Sequence, residues 1–389
     1  MKNLTIVADS NIASLDEFFN PVALGQNTEQ QVQVIRVAGR DINAQLLADM
    51  QPDVLLIRSV TPISESLLAN NNSVKFVGSA TIGTDHVDQD YLAARNITFA
   101  NAAGCSKHSV AQYVVTAILT LRPEYWHQQS TKPLTLGIIG LGNIGSTLVQ
   151  YASDLGWQVL GYDPLSPASD INNATLEQIL HQSDMVSLHV PLTDKKDTNT
   201  QVIITDDVVS DSISNNISNN VSDFPTRHLI NAETLALMSP HTMLINTARG
   251  PVIDAAALEA DIDATERQVV LDVFEHEPQI NESLLSKLAI ATPHIAGYTL
   301  EGKLRGTQII YDALCEKLAV LPVLSMHQLL PLNTYLWSEL KENPDRLLKF
   351  YDIKKDDAAL RNKVTHGKVK GVDFDQLRRD YHLRREWQA

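Results

Sequence analysis

The sequence has few cysteines, no excess of positive charge and no long hydrophobic run. Its two cysteines, Cys105 and Cys315 among 389 residues, are too few for a disulfide framework and favour a reducing compartment. The 31 Lys and Arg residues are outnumbered by 46 Asp and Glu, which gives a net charge of −15. A surface this acidic argues against nucleic acid or an anionic membrane as a partner.

The chain also lacks an apolar run near the roughly 18 residues that cross a bilayer. Its first residues do not show the order of charged, apolar and small residues that marks a signal peptide. We therefore expect a cytoplasmic protein that binds a small molecule. Since the overall field repels anions, an anionic substrate would need a local basic pocket.

What the sequence does contain is a regular alternation of short apolar strands with amphipathic helices. A chain of 389 residues is too long for one compact core, so more than one domain is expected. The predicted strands lie at 4–8, 32–37, 54–57, 76–77 and 97–99, and then at 136–139, 158–162, 185–189, 243–246, 269–272 and 289–291. A long helix is predicted between the two blocks, at 109–121. This alternation is typical of α/β proteins with parallel sheets covered by helices.

Two regions depart from the alternation. Residues 194–226 are rich in Asn, Ser and Asp and are too long for an ordinary connection, so they predict a surface insertion, most simply without a function of its own. From residue 304 the chain becomes helical and strongly charged up to residue 389. Because this part follows two complete α/β blocks, it is interpreted as an oligomerisation module.

A glycine-rich turn joins the strand 136–139 to the following helix. It contains Gly140, Gly142 and Gly145, with Asn143 and Ile144 between the last two. At this position the first glycine permits a tight turn, the second lets the backbone approach a pyrophosphate, and the third lets the helix pack closely on the strand. The free N–H groups of the helix add a positive dipole end. The turn predicts a dinucleotide site.

The next predicted strand ends at Asp163, 18 residues beyond Gly145. A carboxylate there can accept both hydroxyls of the adenosine ribose, and it repels a 2′-phosphate, which favours NAD over NADP. The alternative interpretation is a turn cap before Pro164, since Asp-Pro is a common turn pair.

Three further strand ends carry polar residues that an apolar strand does not need. Arg249 follows the strand 243–246, Glu277 follows 269–272, and His294 follows 289–291. Oxidation of a 2-hydroxy acid requires a cation for the carboxylate, a base for the hydroxyl proton and a carboxylate that orients the base. Because ligands bind at the carboxyl ends of parallel strands, these residues predict that chemistry.

Each of the three also has a simpler interpretation when it is considered alone. Arg249 could be a surface residue at a glycine turn, His294 a capping residue after a proline, and Glu277 one acid of an exposed loop. Asp272 is expected to face the nicotinamide side of the cofactor pocket. His86 could serve as a base, but it lies in a helix-start pattern and is interpreted as structural.

These motifs together resemble the D-isomer-specific 2-hydroxyacid dehydrogenases. The similarity lies in the LGNIG turn at 141–145, NTARG at 246–250, DVFEHEP at 272–278 and PHIAG at 293–297. The fold that the resemblance implies is a Rossmann NAD-binding domain at 101–292 inserted into a flavodoxin-like substrate domain at 1–100, which residues of about 293–303 complete. The remaining 304–389 would form a C-terminal dimerisation module.

The resemblance also implies roles for individual residues. Arg249, Glu277 and His294 would be catalytic, with His294 carrying the proton. Residues expected to bind NAD, besides the glycine turn, are Asp163, Thr247, Ala248, Arg249, Asp272 and Gly297. Residues expected to bind substrate are Ser59, Thr81, Tyr298 and Arg58.

A narrower resemblance, to a branch of the family that oxidises a phosphorylated sugar acid, rests on stretches spread over the chain. They are 58–61, 78–88, 103–105, the HIAGYTLEGKLRGT run at 294–307 and the LRRDYHLRREW ending. Arg58 and the pair Lys303 and Arg305 are then candidates for binding the substrate phosphate, or else solvated surface charges. A homodimer without a metal ion is expected.

The chain departs from that branch at three places. Val190 stands where a hydroxyl residue is usual, the insertion is longer than the family loop, and the chain ends at 387–389 where relatives are expected to continue. A truncated tail would weaken the dimer. Two alternatives stay open, namely another D-2-hydroxyacid dehydrogenase, such as one acting on phosphoglycerate, and a non-catalytic NAD-sensing protein on the same fold.

Overall fold

The computed structural model describes residues 3–25, 31–126, 133–165, 172–195 and 221–388. Within these ranges the chain forms two parallel sheets covered by helices, which confirms the predicted α/β class. No helix in them is both long and apolar enough to cross a membrane.

The first sheet has five parallel strands in the order β2-β1-β3-β4-β5, the order of a flavodoxin-like fold. Its elements are β1 (Leu4–Asp9), α1 (Leu15–Phe18), β2 (Val32–Val37), α2 (Ala44–Met50), β3 (Val54–Ile57), α3 (Glu65–Leu68), β4 (Phe76–Ser79), α4 (Gln89–Ala94) and β5 (Thr98–Asn101). All four residues of the central β3 are buried. Such continuous apolar runs form strands with both faces covered, because helices pack on each side.

The second sheet follows a long helix, α5 (Lys107–Leu121). The elements after it are β6 (Thr135–Ile139), α6 (Asn143–Asp154), β7 (Gln158–Tyr162), β8 (Asn172–Asn173), α7 (Leu176–Gln182), β9 (Met185–Leu188), β10 (Asp194–Lys195), β11 (Val221–Ser222), α8 (Ala232–Ala236), β12 (Met243–Asn246), α9 (Ala255–Thr265), β13 (Val269–Leu271), β14 (Ile280–Asn281), α10 (Glu282–Lys287) and β15 (Ile290–Ala291). The sheet has the order β8-β7-β6-β9-β12-β13-β15. Counted from β6 as the first strand, this is the Rossmann order with a seventh strand added.

The two ends of the predicted insertion lie side by side. β10 and β11 pair in parallel, and the backbone N–H of Thr226 donates to the carbonyl of Thr193 at 3.0 Å. A segment whose ends meet in this way can be long without disturbing the sheet. The body of the predicted insertion, 196–220, lies outside the described residues.

The chain returns to the first sheet through α11 (Leu300–Lys317). Thr299 caps this helix by accepting from the N–H of Gly302, and the buried Leu304, Ile310 and Leu314 join the core of the first sheet. The predicted boundary at 303/304 falls within the first turn of this helix. The apolar side chains after that turn belong to the first sheet, whereas the sequence prediction assigned them to the C-terminal module.

The C-terminal segment packs on the second sheet. Its elements are α12 (Trp337–Leu340), α13 (Pro344–Phe350), α14 (Ile353–Arg361), β16 (Val364–Thr365), β17 (Lys368–Val369) and α15 (Gly371–Arg379). β17 pairs with β14 and β16 in a small antiparallel sheet. Short 3₁₀ helices occur at Gly39–Asp41, Pro123–Tyr125, Gly250–Val252 and Met326–Gln328. Trp337 and Trp387 stack at 5.1 Å between ring centroids, inside the core that α5 and α6 share.

Candidate active site

A cleft of about 590 Å³ lies between the carboxyl ends of the two sheets. Much of its lining comes from residues at the ends of strands or up to three positions beyond them, on both sides: Arg58, Ser59, Thr81, Asn101, His189, Thr247, Ala248, Arg249, Asp272 and His294. Polar side chains collect here because the carboxyl ends of parallel strands meet at one edge of each sheet. Both sheets therefore contribute polar side chains to this cleft.

The predicted pair of histidine and carboxylate is formed in this cleft. Nδ1 of His294 lies 2.9 Å from Oε2 of Glu277, and Oε1 of Glu277 accepts from the N–H of Phe274 at 2.8 Å. Burial by itself raises the pKa of Glu277, but the charge and hydrogen bond of His294, with smaller contributions from Phe274 and Arg378, hold it below its usual value. The ionised carboxylate fixes the ring and leaves Nε2 of His294 for a substrate.

The turn that carries His294 is held by Asp272, which is 1% exposed. Its carboxylate accepts from the hydroxyl of Thr292 at 2.6 Å and from the N–H groups of Ile295 and Ala296 at 2.8 and 2.9 Å. Burial raises the pKa of Asp272. These bonds give Asp272 a positioning role that sequence reasoning missed, and its predicted contact with the nicotinamide stays a prediction.

Arg249 reaches the cleft from the turn after β12. Its Nε donates to Asp85 at 3.0 Å and its Nη1 donates to the carbonyl of Ala248 at 2.8 Å. The turn is shaped by the fully buried Asn246, whose amide donates to the carbonyl of Arg249 and whose oxygen accepts from the N–H of Ala248. Asp85 and Asn246 are positioning residues that no spacing in the sequence indicates.

The glycine turn has the geometry that a dinucleotide site requires. Gly140 has a φ of +94°, and a Cβ on Gly145 would lie 2.0 Å from the carbonyl oxygen of Gly140. A Cβ on Gly142 would meet no atom within 4 Å, so the space in front of its backbone is open. α6 starts at the next residue, Asn143, which lines the cleft together with Ile144. The turn thus has a crowded protein side and an open side for a pyrophosphate.

Asp163 stands at the end of β7, beside the glycine turn. Its carboxylate accepts from the N–H of Leu141 at 2.9 Å and from the N–H of Leu165 at 3.0 Å. The bond from Leu165 agrees with the turn-cap interpretation, and the bond from Leu141 places the carboxylate beside the glycine turn. Both interpretations from the sequence are therefore compatible, and the contact with the ribose stays a prediction.

The residues expected to bind substrate lie on the other side of the cleft. Arg58, Ser59, Thr81 and Tyr298 all line it, and the hydroxyl of Thr81 is held 2.9 Å from that of Ser79. These side chains supply hydroxyl groups opposite the glycine turn. A polar, hydroxylated substrate therefore fits this side of the cleft.

The two basic residues predicted as a pair on α11 are separated. Lys303 lines the cleft with its Nζ 3.7 Å from the ring centroid of Tyr298. Arg305 instead forms a salt bridge with Glu386 at 2.8 Å and also donates to the carbonyl of Cys105. Residues two apart on a helix face different directions, so only one of the two enters the cleft.

Arg378 also lines the cleft, although it stands in α15 of the C-terminal segment. It belongs to the LRRDYHLRREW ending, which supports the family resemblance but predicts no role for this arginine. Nothing in the local pattern distinguishes it from the neighbouring Arg379, because the side of α15 that faces the cleft depends on tertiary packing.

Two other predictions concern the walls of the cleft. His86 lines it, and burial, with a contribution from the charge of Arg249 that opposes Asp85, lowers its pKa to about 4. A histidine with so low a pKa is a poor proton acceptor near neutral pH, which fits the structural interpretation. Val190 also lines the cleft and presents an apolar side chain there.

Comparison with protein families gives two matches. Residues 8–322 match the family described as D-isomer specific 2-hydroxyacid dehydrogenase, catalytic domain. Residues 337–389 match a family described only as a domain of unknown function.

Individual relatives are similar over their whole length. The chain is 88% identical over 389 residues to an erythronate-4-phosphate dehydrogenase of Psychrobacter cryohalolentis, covering 100% of this chain and 98% of that one. An erythronate-4-phosphate dehydrogenase of Acinetobacter baumannii is 44% identical, with 99% and 98% covered.

Solved structures are similar in fold. Cofactor-bound 3-phosphoglycerate dehydrogenase of Entamoeba histolytica, whose cofactor is NAD+, superposes with a TM-score of 0.61 at 20% identity, covering 82% of this chain and 96% of that chain. Rhodotorula graminis D-mandelate dehydrogenase gives 0.62 at 21% identity, covering 80% and 94%.

Proposed function

Because this chain belongs to the D-isomer-specific 2-hydroxyacid dehydrogenase family, we propose that it oxidises 4-phospho-D-erythronate at its C2 hydroxyl with NAD. The product would be (R)-3-hydroxy-2-oxo-4-phosphobutanoate. This substrate appears in the names of two relatives, which are 88% and 44% identical to the chain over nearly their whole length. This reaction would serve the biosynthesis of pyridoxal 5′-phosphate.

The main observation in support of this reaction is the pairing of His294 with Glu277 in the cleft, where Nδ1 of His294 lies 2.9 Å from Oε2 of Glu277. A base that takes the C2 hydroxyl proton must present one ring nitrogen to the substrate and keep the other fixed. Glu277 fixes Nδ1, so Nε2 of His294 accepts the proton. The ionised carboxylate then stabilises the imidazolium that forms.

Arg249 would bind the substrate carboxylate. A guanidinium makes two parallel hydrogen bonds to a carboxylate, and this one is held in the cleft by Asp85 and by its own turn. Ser59 and Thr81 would bind hydroxyls of the substrate from the opposite wall. These contacts would bring the C2 hydroxyl to His294.

The glycine turn and its neighbours would hold the cofactor. Bound NAD supplies the acceptor for the hydride that leaves C2. Gly142 and the start of α6 would face its pyrophosphate, and Asp163 would accept from the ribose hydroxyls. Thr247, Ala248, Asp272 and Gly297 line the part of the cleft near His294 and would surround the nicotinamide.

We further propose a cytoplasmic homodimer. Both thiols, Cys105 and Cys315, are buried and free, as suits a reducing compartment. Between the end of α11 and the start of α12, large apolar side chains are exposed, including Leu321 at 84% and Leu332 at 89%. Exposed apolar side chains in this one segment favour a second copy of the chain as their cover, which light scattering of the purified protein would test.

Two other functions remain as alternatives, another dehydrogenase of the same family and a non-catalytic NAD sensor. Turnover distinguishes them. The purified protein is expected to form NADH from NAD and 4-phospho-D-erythronate when an added reagent removes the 2-oxo acid product. In the reverse direction it is expected to consume NADH when the 2-oxo acid is supplied. Binding of NAD with no turnover of 4-phospho-D-erythronate or of the 2-oxo acid would contradict the proposal and favour the sensor. Faster turnover of 3-phosphoglycerate than of 4-phospho-D-erythronate would favour the other dehydrogenase.

Variants separate binding from chemistry. His294→Asn is expected to lower kcat by about 10²- to 10⁴-fold, as for loss of a general base. Arg249→Gln should act mainly on KM. The matched control is His228→Asn, since His228 also pairs with a carboxylate, Glu275, at 2.6 Å but does not line the cleft. A normal kcat in His294→Asn would show that the base is another residue.

A further inference from the structure

Three cations surround the ring of Tyr298 at one end of the cleft. Nη2 of Arg58 lies 3.3 Å from its hydroxyl oxygen, Nζ of Lys303 lies 3.7 Å from the ring centroid, and Cζ of Arg378 lies 5.8 Å from it. Arg58 follows β3, Lys303 stands in α11 and Arg378 stands in α15. Three separate parts of the chain therefore bring positive charge to one point.

Few carboxylates balance this charge. Neither Arg58 nor Lys303 forms a salt bridge with an acidic residue in the described ranges. Arg378 has one long salt bridge, 3.8 Å to Asp375, and its side chain is only 18% exposed. Its Nε is buried and has no hydrogen-bond partner in the part of the chain that the structure describes. Partly buried cations without enough counter-charge indicate a site for an anion.

The titration of the cluster agrees with this interpretation. Burial lowers the pKa of Lys303 to about 8, and the charges of Arg58 and Arg378 act in the same direction, against the opposing effect of Tyr298. Burial alone raises the pKa of Tyr298, but Lys303, Arg378 and Arg58 together bring it down to about 7. The potential at the ring is therefore strongly positive, in a chain whose net charge is −15.

We propose that Arg378, together with Lys303 and Arg58, binds the phosphate group of the substrate, so that the C-terminal segment completes the substrate site. This inference rests on the proposed function, because it assigns the phosphate of that substrate. A phosphate dianion has three acceptor oxygens and suits the donors of two guanidinium groups and one ammonium group. The segment matched only by a domain of unknown function thereby acquires a role in substrate specificity.

Arg378 has a competing role that the experiment must separate. Its charge also acts on Glu277, since it contributes to holding the pKa of that carboxyl below its usual value. If this were its main effect, its removal would change the proton transfer at His294 for every substrate. If it binds phosphate, its removal would affect only phosphorylated ligands.

The test compares 4-phospho-D-erythronate with D-erythronate in the wild type and in Arg378→Gln. We expect KM for the phosphorylated substrate to rise about 30-fold, which corresponds to the loss of one charge-assisted contact. An effect of Arg378 through Glu277 should be the same for both substrates, so the preference for the phosphorylated substrate over D-erythronate should fall by about the same 30-fold. Arg378→Lys should recover part of the loss, because it keeps the charge but not the fork of donors.

Arg379→Gln is the matched control, because Arg379 is the next residue of the same helix and its side chain is 63% exposed. It should leave the preference for the phosphorylated substrate unchanged. Thermal unfolding of each variant shows that it is folded, and Lys303→Met provides a second variant on another helix if Arg378→Gln does not fold.

Inorganic phosphate serves as an independent probe. It should compete with the phosphorylated substrate and bind more weakly, about tenfold, to Arg378→Gln than to the wild type. An equal loss of kcat on both substrates with a shifted pH profile, or unchanged phosphate binding, would overturn the inference. Absence of wild-type turnover on 4-phospho-D-erythronate would contradict the proposed function instead, while phosphate binding would still report on the cation cluster.

Discussion

Single residues in the cleft are held in unusual conformations by their neighbours. His294 has a φ of +57°, in the left-handed region that a non-glycine residue seldom adopts. Its N–H donates to the carbonyl of Asp272 at 2.8 Å, and the carboxylate of the same Asp272 holds the next two N–H groups. The cost of that backbone conformation is offset by these bonds, which turn the ring toward Glu277.

Tyr298 gives the substrate site a pH dependence. The charged and titratable groups that face it are Arg58, His294, Lys303, Arg378 and Tyr381. With pKa values of about 7 for Tyr298 and about 8 for Lys303, the tyrosine is mostly neutral and the lysine mostly charged at pH 6.5, while at pH 9 the tyrosine is mostly anionic and the lysine mostly neutral. The cluster thus loses more than one unit of positive charge as the pH rises.

We expect KM for the phosphorylated substrate to rise roughly tenfold or more between pH 6.5 and pH 9, because a charge-assisted contact is lost. Steady-state kinetics across this range measures the effect. In Tyr298→Phe the rise should be smaller, because only Lys303 then titrates, and it should begin at lower pH, because the tyrosinate no longer raises the pKa of that lysine. The same profile in Tyr298→Phe as in the wild type would show that the tyrosine does not titrate there.

Among the elements, the glycine turn before α6 has one crowded side and one open side, which tolerate an added side chain differently. The side at Gly145 is packed against the backbone of Gly140, whereas the side at Gly142 is open. Gly142 has a φ of −66°, which alanine adopts without strain. The two glycines are thus required for different reasons, one for folding and the other for the ligand.

Gly145→Ala is therefore expected to destabilise the protein without any ligand, by about 1–3 kcal/mol, as overpacking usually does. Gly142→Ala should unfold like the wild type, and its NAD affinity should fall at least tenfold because the methyl group occupies space meant for the pyrophosphate. Thermal unfolding and titration with NAD measure the two effects. A Gly142→Ala protein that binds NAD normally would place the cofactor elsewhere.

In the whole molecule, the end of the chain ties the two sheets together. Glu386, with a side chain only 6% exposed, accepts from Ser109 in α5 at 2.8 Å, from Thr299 at 2.9 Å and from Arg305 in α11 at 2.8 Å. Arg384 donates to the carbonyls of Ile295 and Ala296, in the turn that follows His294. These contacts lie where the chain passes between the sheets, so the C-terminal segment supports the shape of the cleft.

Glu386→Gln should therefore lower the free energy of unfolding by about 2 kcal/mol, because it leaves the charge of Arg305 without its partner. Denaturant unfolding measures the change. Glu339→Gln is the control, since Glu339 forms an exposed salt bridge with Arg346 and such pairs contribute little. Equal stability of the two variants would mean that the tail is not needed to hold the sheets.

Local patterns in the sequence were enough to predict the class of fold and the glycine turn, and to predict that Arg249, Glu277 and His294 stand at successive strand ends. These depend on local patterns, because alternating strands place their carboxyl ends at one edge and a glycine turn requires particular residues at fixed spacing. The resemblance to a known family then narrowed the substrate, and the family itself is confirmed.

Which cations meet at Tyr298 depends on tertiary packing. Lys303 and Arg305 look equivalent in the sequence, yet one enters the cleft and the other pairs with Glu386. Arg378 is 80 residues from Tyr298 in the sequence, and the packing of α15 brings the two side chains together. The predicted domain boundary at 303/304 differs from the structure because α11 packs on the first sheet beyond that point. The physical reason is that contacts between distant segments depend on how whole elements pack, which no local spacing specifies.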